Sequence, residues 1–415
     1  LEHLLSGLNL KEGVNTIPGG KYHNFKDFSK FPDFNNKEFV YPAMPPLKHP
    51  LLEGKRSVFK AILEQDVMLH FPYHKFSYVV DLLSEAAIDP KVISIKINVY
   101  RVAQDSQVMN ALMNAVSNGK EVTVIFELQA RFDEENNLSW SERMKENGAN
   151  VLYGLPQRKI HSKLLQIKRV TGKKTQTVSY VGTGNFHEGT ARIYSDLALL
   201  TANKKIAQEV EKVFELIETG NEEIRFGTLM VSPFNTRQKI LALIDNEIKI
   251  AKKGKKAFIK IKINNLVDNE MIEKLYQASQ AGVKIDLIVR GICTLVPNDP
   301  KKSANIRVIS IVDRFLEHAR FLIFGNDSDP LYFISSADWM ERNLNSRIEV
   351  TAPIFDENLK KEIDLIFDYQ WKGNVKVRIL DKLMKNQYKK TDEKNPFRAQ
   401  FEIYNHYKEI AKNSQ

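Results

Sequence analysis

The sequence predicts an α/β protein made of two tandem copies of one unit, which face each other across a pseudo-twofold cleft. Segments with strand-like alternation of apolar residues take turns with segments of helical spacing along most of the chain. The tetrapeptide Ile-Lys-Ile-Asn occurs at 95–98 and again at 261–264. Because strands that alternate with helices are typical of βαβ units, we expect a largely parallel sheet in each copy.

The two copies agree in the order of four features as well as in the tetrapeptide. In each, a helical segment ends in glycine before an apolar strand, and a histidine follows with a basic residue two positions later. A small-residue turn closed by Asn or Asp comes next, and a carboxylate lies eleven residues beyond it. This ordered agreement indicates a duplication. The residues are Gly119, His161, Lys163, Asn185 and Asp196 in the first copy, and Gly282, His318, Arg320, Asp338 and Glu349 in the second.

Length and breakers divide the chain into three parts. Residues 1–54 are irregular and rich in proline, and we interpret them as the tail of an upstream domain plus a linker. Residues 55–226 are predicted as the first unit, and 227–415 as the second unit with a helical, lysine-rich tail. Since the chain begins at Leu1, we expect it to come from a longer protein.

Helices and strands are assigned from periodicity and from capping residues. Ser57 is a suitable N-cap for the first helix. In the first unit we predict helices over 57–66, 76–87, 107–117, 140–147 and 204–220, and strands over 92–100, 122–128, 151–153 and within 160–201. In the second unit we predict helices over 238–252 and 269–281, and strands over 258–264, 283–289, 306–312, 315–324, 331–338 and 347–350.

Charge and composition limit the classes of function. The net charge of +10 favours a polyanionic partner, namely nucleic acid, an acidic membrane surface or a phosphate polymer. A solvated basic surface is the alternative. No apolar run approaches the roughly 20 residues of a membrane helix. The single cysteine, Cys293, excludes an internal disulfide and a cysteine-rich metal site, which suits a reducing cytosol.

His161 and Lys163 form the first candidate catalytic pair. Residues two apart on a strand point to the same face, so the two side chains are expected to project together. A neutral imidazole can attack phosphorus near neutral pH, and a lysine beside it can hold phosphate oxygens. The alternative is a hydrogen-bonded histidine within a strand. The second pair in the repeat favours the catalytic interpretation.

His318 is the second candidate, as nucleophile partner or general acid. Its apolar neighbours also allow a core histidine, but its place in the repeat equals that of His161. Asp196 and Glu349 are hypothesised to orient the two imidazoles. Ordinary salt bridges are the alternative role for these carboxylates.

Basic residues at strand ends predict a phosphate-binding cleft. Arg101, Arg131 and Arg290 each follow the carboxyl end of a predicted strand, where ligands bind in open α/β sheets. The Gly-Thr-Gly-Asn turn at 182–185 offers backbone N–H groups to an anion. His187, two residues beyond that turn, is interpreted as a loop residue rather than a spare acid.

Other motifs are absent or weak. The sequence has no P-loop and no H-E-x-x-H zinc motif. The acidic stretch at 133–136 offers ligands for a divalent cation, although such stretches usually face solvent.

Several ordered motifs carry a family resemblance. The chain resembles the long polyphosphate kinases, which are built on two phospholipase-D-like domains, over about residues 55–410. The motifs are Val99 to Ser106, Ala130 to Asn137, His161-Ser162-Lys163, Gly182 to Asn185 through Asp196, Phe315 to His318 and Ser335 to Met340.

The resemblance implies reversible transfer of the ATP γ-phosphate to polyphosphate, with Mg²⁺ and a phosphohistidine intermediate. His161 matches the phosphorylated histidine, and His318 matches a second catalytic histidine that also contacts nucleotide. Tyr194 and Arg290 match nucleotide-binding positions, and Asn185 is predicted to act with them. Arg101 and Arg131 match positions associated with magnesium and phosphate; a guanidinium cannot ligate a cation, so both are interpreted as phosphate clamps beside the ion.

Partners and location follow from the same resemblance. We predict binding of polyphosphate and ATP or ADP, no binding of nucleic acid, and a homo-oligomer in the cytoplasm, with peripheral membrane association left open. The second pair is His-x-Arg rather than His-x-Lys, so the two histidines are expected to differ in role. The family's N-terminal and helical domains precede this region, so part of the adenine pocket is expected to be missing. A phospholipase-D-like phosphodiesterase or nuclease and an inactive polyanion-binding module remain the alternatives.

Overall fold

The computed structural model describes residues 2–10, 32, 34–128, 133–392 and 394–413. These residues separate into two units, one before Met44 and one from Met44 onward. The first unit contains helix α1 (Glu2–Gly7) and a 3₁₀ turn at Lys37–Phe39. The second unit contains all the elements described below. Among the described helices, none is both long enough and apolar enough to cross a membrane.

The first sheet of the large unit is mixed. Its strands follow the order β1-β7-β6-β5-β2-β3-β4. Among these seven described strands only the β2–β3 and β3–β4 pairs are parallel, so the prediction of a largely parallel sheet is wrong here. The segment from 164 to 201 forms antiparallel neighbours through short connections, which leave no room for a crossover helix. The strands are β1 (Val67–Phe71), β2 (Val92–Val99), β3 (Glu121–Phe126), β4 (Asn150–Leu152), β5 (Leu164–Thr171), β6 (Lys174–Gly182) and β7 (Tyr194–Thr201).

Five helices accompany this sheet, close to where the sequence predicts them. Ser57 caps the first, because its hydroxyl accepts the Lys60 N–H at 3.0 Å. Strand β1 was not predicted, and the helix expected at 140–147 begins earlier, at Glu134. The helices are α2 (Val58–Glu64), α3 (Ser77–Ile88), α4 (Gln107–Ser117), α5 (Glu134–Glu146) and α6 (Lys204–Thr219).

The second sheet repeats the plan of the first. Its order is β17-β16-β11-β10-β9-β13-β14-β15-β8, and only the β11–β10 and β10–β9 pairs are parallel. The strands are β8 (Met230–Ser232), β9 (Phe258–Ile263), β10 (Lys284–Val289), β11 (Ile306–Ile311), β13 (Phe321–Phe324), β14 (Leu331–Ser335), β15 (Glu349–Ile354), β16 (Val377–Leu380) and β17 (Gln387–Tyr388). The short strand β12 (Leu316–Glu317) comes from the second half of the chain but joins the first sheet. The helices are α7 (Thr236–Lys252), α8 (Asn269–Gln280), α9 (Glu357–Lys372) and α10 (Ala399–Asn413).

One of three apolar clusters among the described residues spans both halves, and the other two lie within the first and the second half. The shared cluster contains Leu197 of β7, Phe214 of α6, Phe321 of β13, Ile363 of α9 and Ile403 of α10. Burial of side chains this size stabilises a fold by about 1.5–3 kcal/mol each. The halves are therefore packed together through side chains of both sheets. The boundaries at 54/55 and 226/227 stay predictions.

Two short backbone pairings connect the halves in a symmetric way. Strand β12 of the second half pairs in parallel with β7 of the first, with Leu316 opposite Tyr194. In the reciprocal position, Ile160 of the first half forms a parallel bridge with Ile348 of the second. Each half thus extends a segment to the edge of the other at the start of β7 or β15.

Candidate active site

Both candidate histidines lie on the two segments that connect the halves. The His161 N–H donates to the Ile348 carbonyl at 2.9 Å, and the His318 N–H donates to the Ser195 carbonyl at 3.0 Å. Each histidine backbone is therefore anchored by a strand of the opposite half. The duplication predicted from sequence brings the two His-x-basic segments to one place.

Each imidazole also contacts a carboxylate from the opposite half. His161 Nδ1 lies 2.9 Å from a Glu349 oxygen, and His318 Nδ1 lies 2.8 Å from an Asp196 oxygen. An ionised carboxylate only accepts hydrogen bonds, so each Nδ1 carries the proton and donates it. Both Nε2 atoms are then left with a lone pair. The sequence suggested that these carboxylates orient histidines, but not that the pairs are exchanged between halves.

Hydroxyl groups fix both carboxylates, and the sequence analysis missed them. Thr183 Oγ1 donates to Asp196 at 2.6 Å, and Ser336 Oγ donates to Glu349 at 2.5 Å. Each hydroxyl stands 13 residues before its carboxylate. This equal spacing could have been recognised in the sequence, because the repeat already aligned the two carboxylates. Asn343 adds a third contact to Glu349, at 2.7 Å from its Nδ2.

Lys163 is buried beside His161. Its side chain is 1% exposed, and its ammonium donates to the His161 carbonyl. The Tyr100 ring centre lies 5.0 Å from that of His161 and 5.1 Å from Lys163 Nζ. The shared ring places both side chains on the same side, as the strand argument predicted, although β5 begins only at Leu164.

Arg320 occupies the corresponding position in the second half but bonds differently. Its Nε donates to Asp338 at 2.9 Å, and its Nη1 donates to the His318 carbonyl at 3.0 Å. Its Nη2 lies 3.4 Å from His318 Nε2. The guanidinium therefore lies beside Nε2 of His318, the atom equivalent to Nε2 of His161. This difference fits the prediction that the histidines have unequal roles.

Burial sets the protonation of the site. It lowers the pKa of His161 to about 4, against the opposing effect of Glu349, and it lowers the pKa of His318 in the same way. Burial also lowers the pKa of Lys163 to about 7. Burial alone would raise the carboxyl pKa of Glu349, but its imidazole neighbour brings that pKa below the ordinary value. At neutral pH both imidazoles are neutral.

The charges of the two halves lie within reach of each other. The Arg320 charge contributes to the lowered pKa of His161, and the Lys163 charge to that of His318. Both contributions cross from one half to the other. The site therefore places the Arg320 guanidinium, and a Lys163 side chain that is charged below about pH 7, around two imidazoles, which suits the negative oxygens of a phosphoryl group.

The residues predicted to bind nucleotide border this centre. The Tyr194 ring centre lies 5.2 Å from that of His318. Arg290 Nε donates to Asn264 Oδ1 at 3.2 Å, and Arg290 lines a cleft of about 210 Å³ together with Arg378. No carboxylate pairs with Arg290 within the described part of the chain. The Asn185 carbonyl accepts the N–H of the residue two positions on, at 2.8 Å.

The candidate cation site is not supported by the described residues. Arg101 Nε pairs with Asp133 at 3.0 Å, and Arg131 lies outside the described residues. Within the described ranges no group of three His, Cys, Asp or Glu side chains could hold a metal ion. A magnesium ion would then depend mainly on substrate phosphates and water.

Two of the four N–H groups of the Gly-Thr-Gly-Asn turn are not available to an anion. The Gly182 N–H donates to the Lys163 carbonyl and the Thr183 N–H to the Leu197 carbonyl, each at 2.9 Å. These two donors are used within the sheet. Gly184 is required for another reason, since a Cβ there would overlap Asp196. His187 accepts two loop N–H groups through Nδ1, as its interpretation as a loop residue predicts.

Comparison with known proteins gives one family. Residues 57–223 match the family model described as polyphosphate kinase C-terminal domain 1, and residues 229–400 match C-terminal domain 2. A polyphosphate kinase of Vibrio parahaemolyticus is 51% identical over 100% of the chain and 60% of its own length. One of Escherichia coli K12 is 44% identical over 99% and 60%. The chain thus spans about three fifths of the curated relatives it matches.

Solved structures agree on the fold. The structure of polyphosphate kinase from Porphyromonas gingivalis superposes with a TM-score of 0.88 at 40% identity, over 99% of this chain and 63% of that one. Phosphatidylserine synthase from Haemophilus influenzae superposes with a TM-score of 0.51 at 11% identity, over 84% and 93%. The second likeness shows the tandem phospholipase-D-like fold alone.

Proposed function

The chain belongs to the polyphosphate kinase family, and we propose that it carries the catalytic centre for reversible phosphoryl transfer between ATP and inorganic polyphosphate, with His161 as the phosphorylated residue. One observation carries this proposal. The partly buried, neutral His161 donates from Nδ1 to Glu349, which leaves Nε2 as the nucleophile. The basic side chains of Lys163 and Arg320 near it suit a phosphate substrate rather than a neutral one.

In the proposed first step, His161 Nε2 attacks the γ-phosphorus of ATP. A nitrogen–phosphorus bond forms as the bond from the γ-phosphorus to the bridging oxygen breaks, and ADP leaves with that electron pair. The ring then carries positive charge, which the Glu349 carboxylate at 2.9 Å stabilises without taking the proton. In the second step a terminal oxygen of polyphosphate attacks the same phosphorus and releases neutral His161.

The remaining residues are assigned supporting roles. Lys163, next to the nucleophile, and Arg290, at the cleft, neutralise the phosphoryl oxygens. His318 contacts nucleotide or acts as acid or base, with Tyr194 beside it, and Asn185 is assigned to nucleotide binding. Arg101 holds phosphate in exchange for its Asp133 contact, and Arg131 is assigned the same role from the resemblance alone. Magnesium would enter with the nucleotide and neutralise its phosphates.

Binding partners and location belong to the same proposal. The net charge of +10 suits a phosphate polymer, and polyphosphate and ATP or ADP are the proposed substrates. A homo-oligomer, a cytoplasmic location and peripheral membrane contact stay predictions.

The test is phosphorylation of the protein from γ-labelled ATP with Mg²⁺. We expect a label that is labile in acid and stable in alkali, and that disappears in His161→Ala. His187→Asn is the matched control, since asparagine can accept the same two loop N–H groups. His318→Ala is expected to slow labelling without changing the labelled residue.

Two outcomes would contradict the proposal. A label that persists in His161→Ala would place the nucleophile elsewhere. A label absent even from a protein that includes the upstream region of the relatives would favour a phosphodiesterase or a polyanion-binding module. Hydrolysis of a phosphodiester without nucleotide separates these two, and binding with a steep salt dependence, unaffected by His161→Ala, indicates the binding module.

A further inference from the structure

The segment that carries His318 is clamped by the C-terminal helix. Gln400, in the first turn of α10, is fully buried. Its Oε1 accepts the Phe315 N–H at 2.9 Å, and its Nε2 donates to the Phe315 carbonyl at 2.8 Å and to a Glu317 oxygen at 2.7 Å. One side chain thus bonds the backbone three residues before His318 and the carboxylate immediately before it.

The same helix end holds the segment at a third point. Arg398, one residue before α10, pairs with Asp313, with Nε 2.9 Å from an Asp313 oxygen. The Asp313 side chain is 1% exposed. Alternate residues 313, 315 and 317 are therefore all bonded to residues 398 and 400. Such repeated contact fixes the path of the segment, not only its distance from the helix.

Glu317 has two further side-chain partners besides Gln400. Its carboxylate accepts from Lys262 Nζ at 2.6 Å and from Gln370 Nε2 at 2.8 Å, besides Gln400. Lys262 and Glu317 are 2% and 1% exposed. A buried ion pair of this kind persists only where its surroundings satisfy it, so its geometry is closely defined.

The internal repeat shows that this arrangement belongs to the second half alone. Lys96 is the repeat equivalent of Lys262, but it is 15% exposed and pairs with Glu211 and Glu218 of α6. The position before His161 is Ile160, which has no carboxylate to offer. In the second copy the equivalent lysine therefore pairs with the carboxylate that immediately precedes the histidine.

From these contacts we propose that Gln400 is a positioning residue for His318, acting through Phe315 and Glu317. The C-terminal helix is then part of the catalytic machinery, although it does not contact the reacting atoms. The segment fixes where the His318 ring stands relative to Asp196, which belongs to the other half. Loosening it lengthens the His318–Asp196 hydrogen bond and leaves His161 and Glu349 in place. The activity readout of this inference rests on the proposed phosphoryl transfer, whereas its spectroscopic readout does not.

The test compares Gln400→Met with Gln370→Met. Both variants remove one donor from Glu317, but only Gln400 also holds the Phe315 backbone. The nine histidines are labelled for NMR titration, and His318 is assigned with His318→Gln. We expect the Gln400→Met variant to move the His318 tautomer signal and pKa, to leave His161 unchanged, and to lower kcat by roughly 10- to 100-fold, as losses of such orienting contacts do. Gln370→Met should change both readouts less.

The outcomes separate positioning from simple support of the fold. A lower melting temperature with unchanged His318 signals and unchanged kcat would overturn the proposal. If Gln400→Met does not fold, Gln400→Asn replaces it, since its shorter side chain stays polar but cannot reach both Phe315 and Glu317. If wild type itself shows no phosphoryl transfer, the proposed function fails, while the His318 signals still decide this inference.

Discussion

At the residue scale, Glu349 determines which nitrogen of His161 can attack. In Glu349→Gln the amide can donate to Nδ1, which moves the ring proton to Nε2 and removes the nucleophile. We expect labelling of His161 to slow by roughly 10²- to 10⁴-fold, as loss of an orienting carboxylate does in other His-carboxylate pairs. Initial rates of labelling from γ-labelled ATP measure this.

The exchanged pairing gives that prediction a matched control. Asp196→Asn changes the equivalent carboxylate, but Asp196 contacts His318 and not His161. It should therefore slow labelling of His161 far less than Glu349→Gln. Equal effects of the two substitutions would contradict the assignment of one carboxylate to each histidine.

Lys163 gives the site a pH dependence. Its pKa of about 7 means that its charge is present below pH 7 and is lost as pH rises through that value. We expect polyphosphate to bind more weakly at pH 8.5 than at pH 6. The dissociation constant rises roughly tenfold for each 1.4 kcal/mol of binding free energy that is lost with the Lys163 charge. Equilibrium binding at both pH values measures it.

Lys163→Gln is the control for that dependence. It should bind polyphosphate more weakly at pH 6 and should approach wild type at pH 8.5. The ratio of the two proteins' affinities cancels titration of the polymer itself. A ratio that stays constant between these pH values would show that Lys163 does not titrate there.

The sequence indicated the residue types of the site better than their partners. His161, Lys163 and His318 could be chosen because the repeat displays them twice. The sequence could not show that Asp196 and Glu349 each contact the histidine of the opposite half. That pairing depends on how the two copies face each other in space. Thr183 and Ser336 were accessible in principle, through their equal spacing from the carboxylates.

At the element scale, the contact between α9 and α10 depends on a partly buried carboxyl, that of Glu362. The Tyr407 hydroxyl donates to Glu362 at 2.7 Å, and burial raises the pKa of Glu362 to about 7. Between about pH 4.5 and 7 the unfolded chain ionises this group while the folded chain keeps its proton. Stability is therefore lost as pH rises through that window, and the loss is complete above pH 7.

Glu362→Gln should remove that loss. We compare the free energy of unfolding of the variant with that of wild type at each pH. This difference should be more favourable to the variant at pH 8 than at pH 5, by on the order of 1–3 kcal/mol. Urea denaturation at the two pH values measures the difference. Glu357→Gln, an exposed change on the same helix, should show no such pH dependence. An equal gain at both pH values would mean that Glu362 is already ionised in the folded protein.

Helices and strands were predicted correctly where the local sequence determines them. Helices α3 and α4 lie within one or two residues of the prediction, because their apolar spacing is encoded in sequence and Ser106 caps α4. Strand β1 was missed, since all five of its residues are buried and show no alternation, and its partner β7 is distant in the sequence. Strand direction was also wrong, because pairing partners depend on connections rather than on periodicity.

At the scale of the whole molecule, one carboxylate holds the connection between the halves. Glu209 of α6 accepts the Gly227 N–H at 2.6 Å, the Thr228 N–H at 3.0 Å and the Leu229 N–H at 2.6 Å. These donors lie where the first half ends and β8 of the second begins. The contact fixes the direction in which the second half starts.

Glu209→Gln should destabilise the protein by about 2 kcal/mol or more, because an amide nitrogen would face backbone donors that lose their acceptor. Glu211→Gln is the control on the same helix, since Glu211 makes partly exposed ion pairs with Lys96 and Lys168. Urea denaturation compares them. Similar losses in both variants would show that Glu209 acts as an ordinary surface charge.

The reciprocal exchange of histidine and carboxylate has a consequence for descent. Two identical copies of one ancestral unit, related by a twofold axis, would already have contained both His–carboxylate pairs, each assembled from two chains. Fusion of two such copies would free each of them to diverge, and Lys163 and Arg320 are a difference of that kind. Neither copy could discard its carboxylate, however, because the one it carries serves its neighbour's histidine. Selection is therefore expected to preserve Asp196 and Glu349 together, even where the surrounding copies have lost almost all likeness.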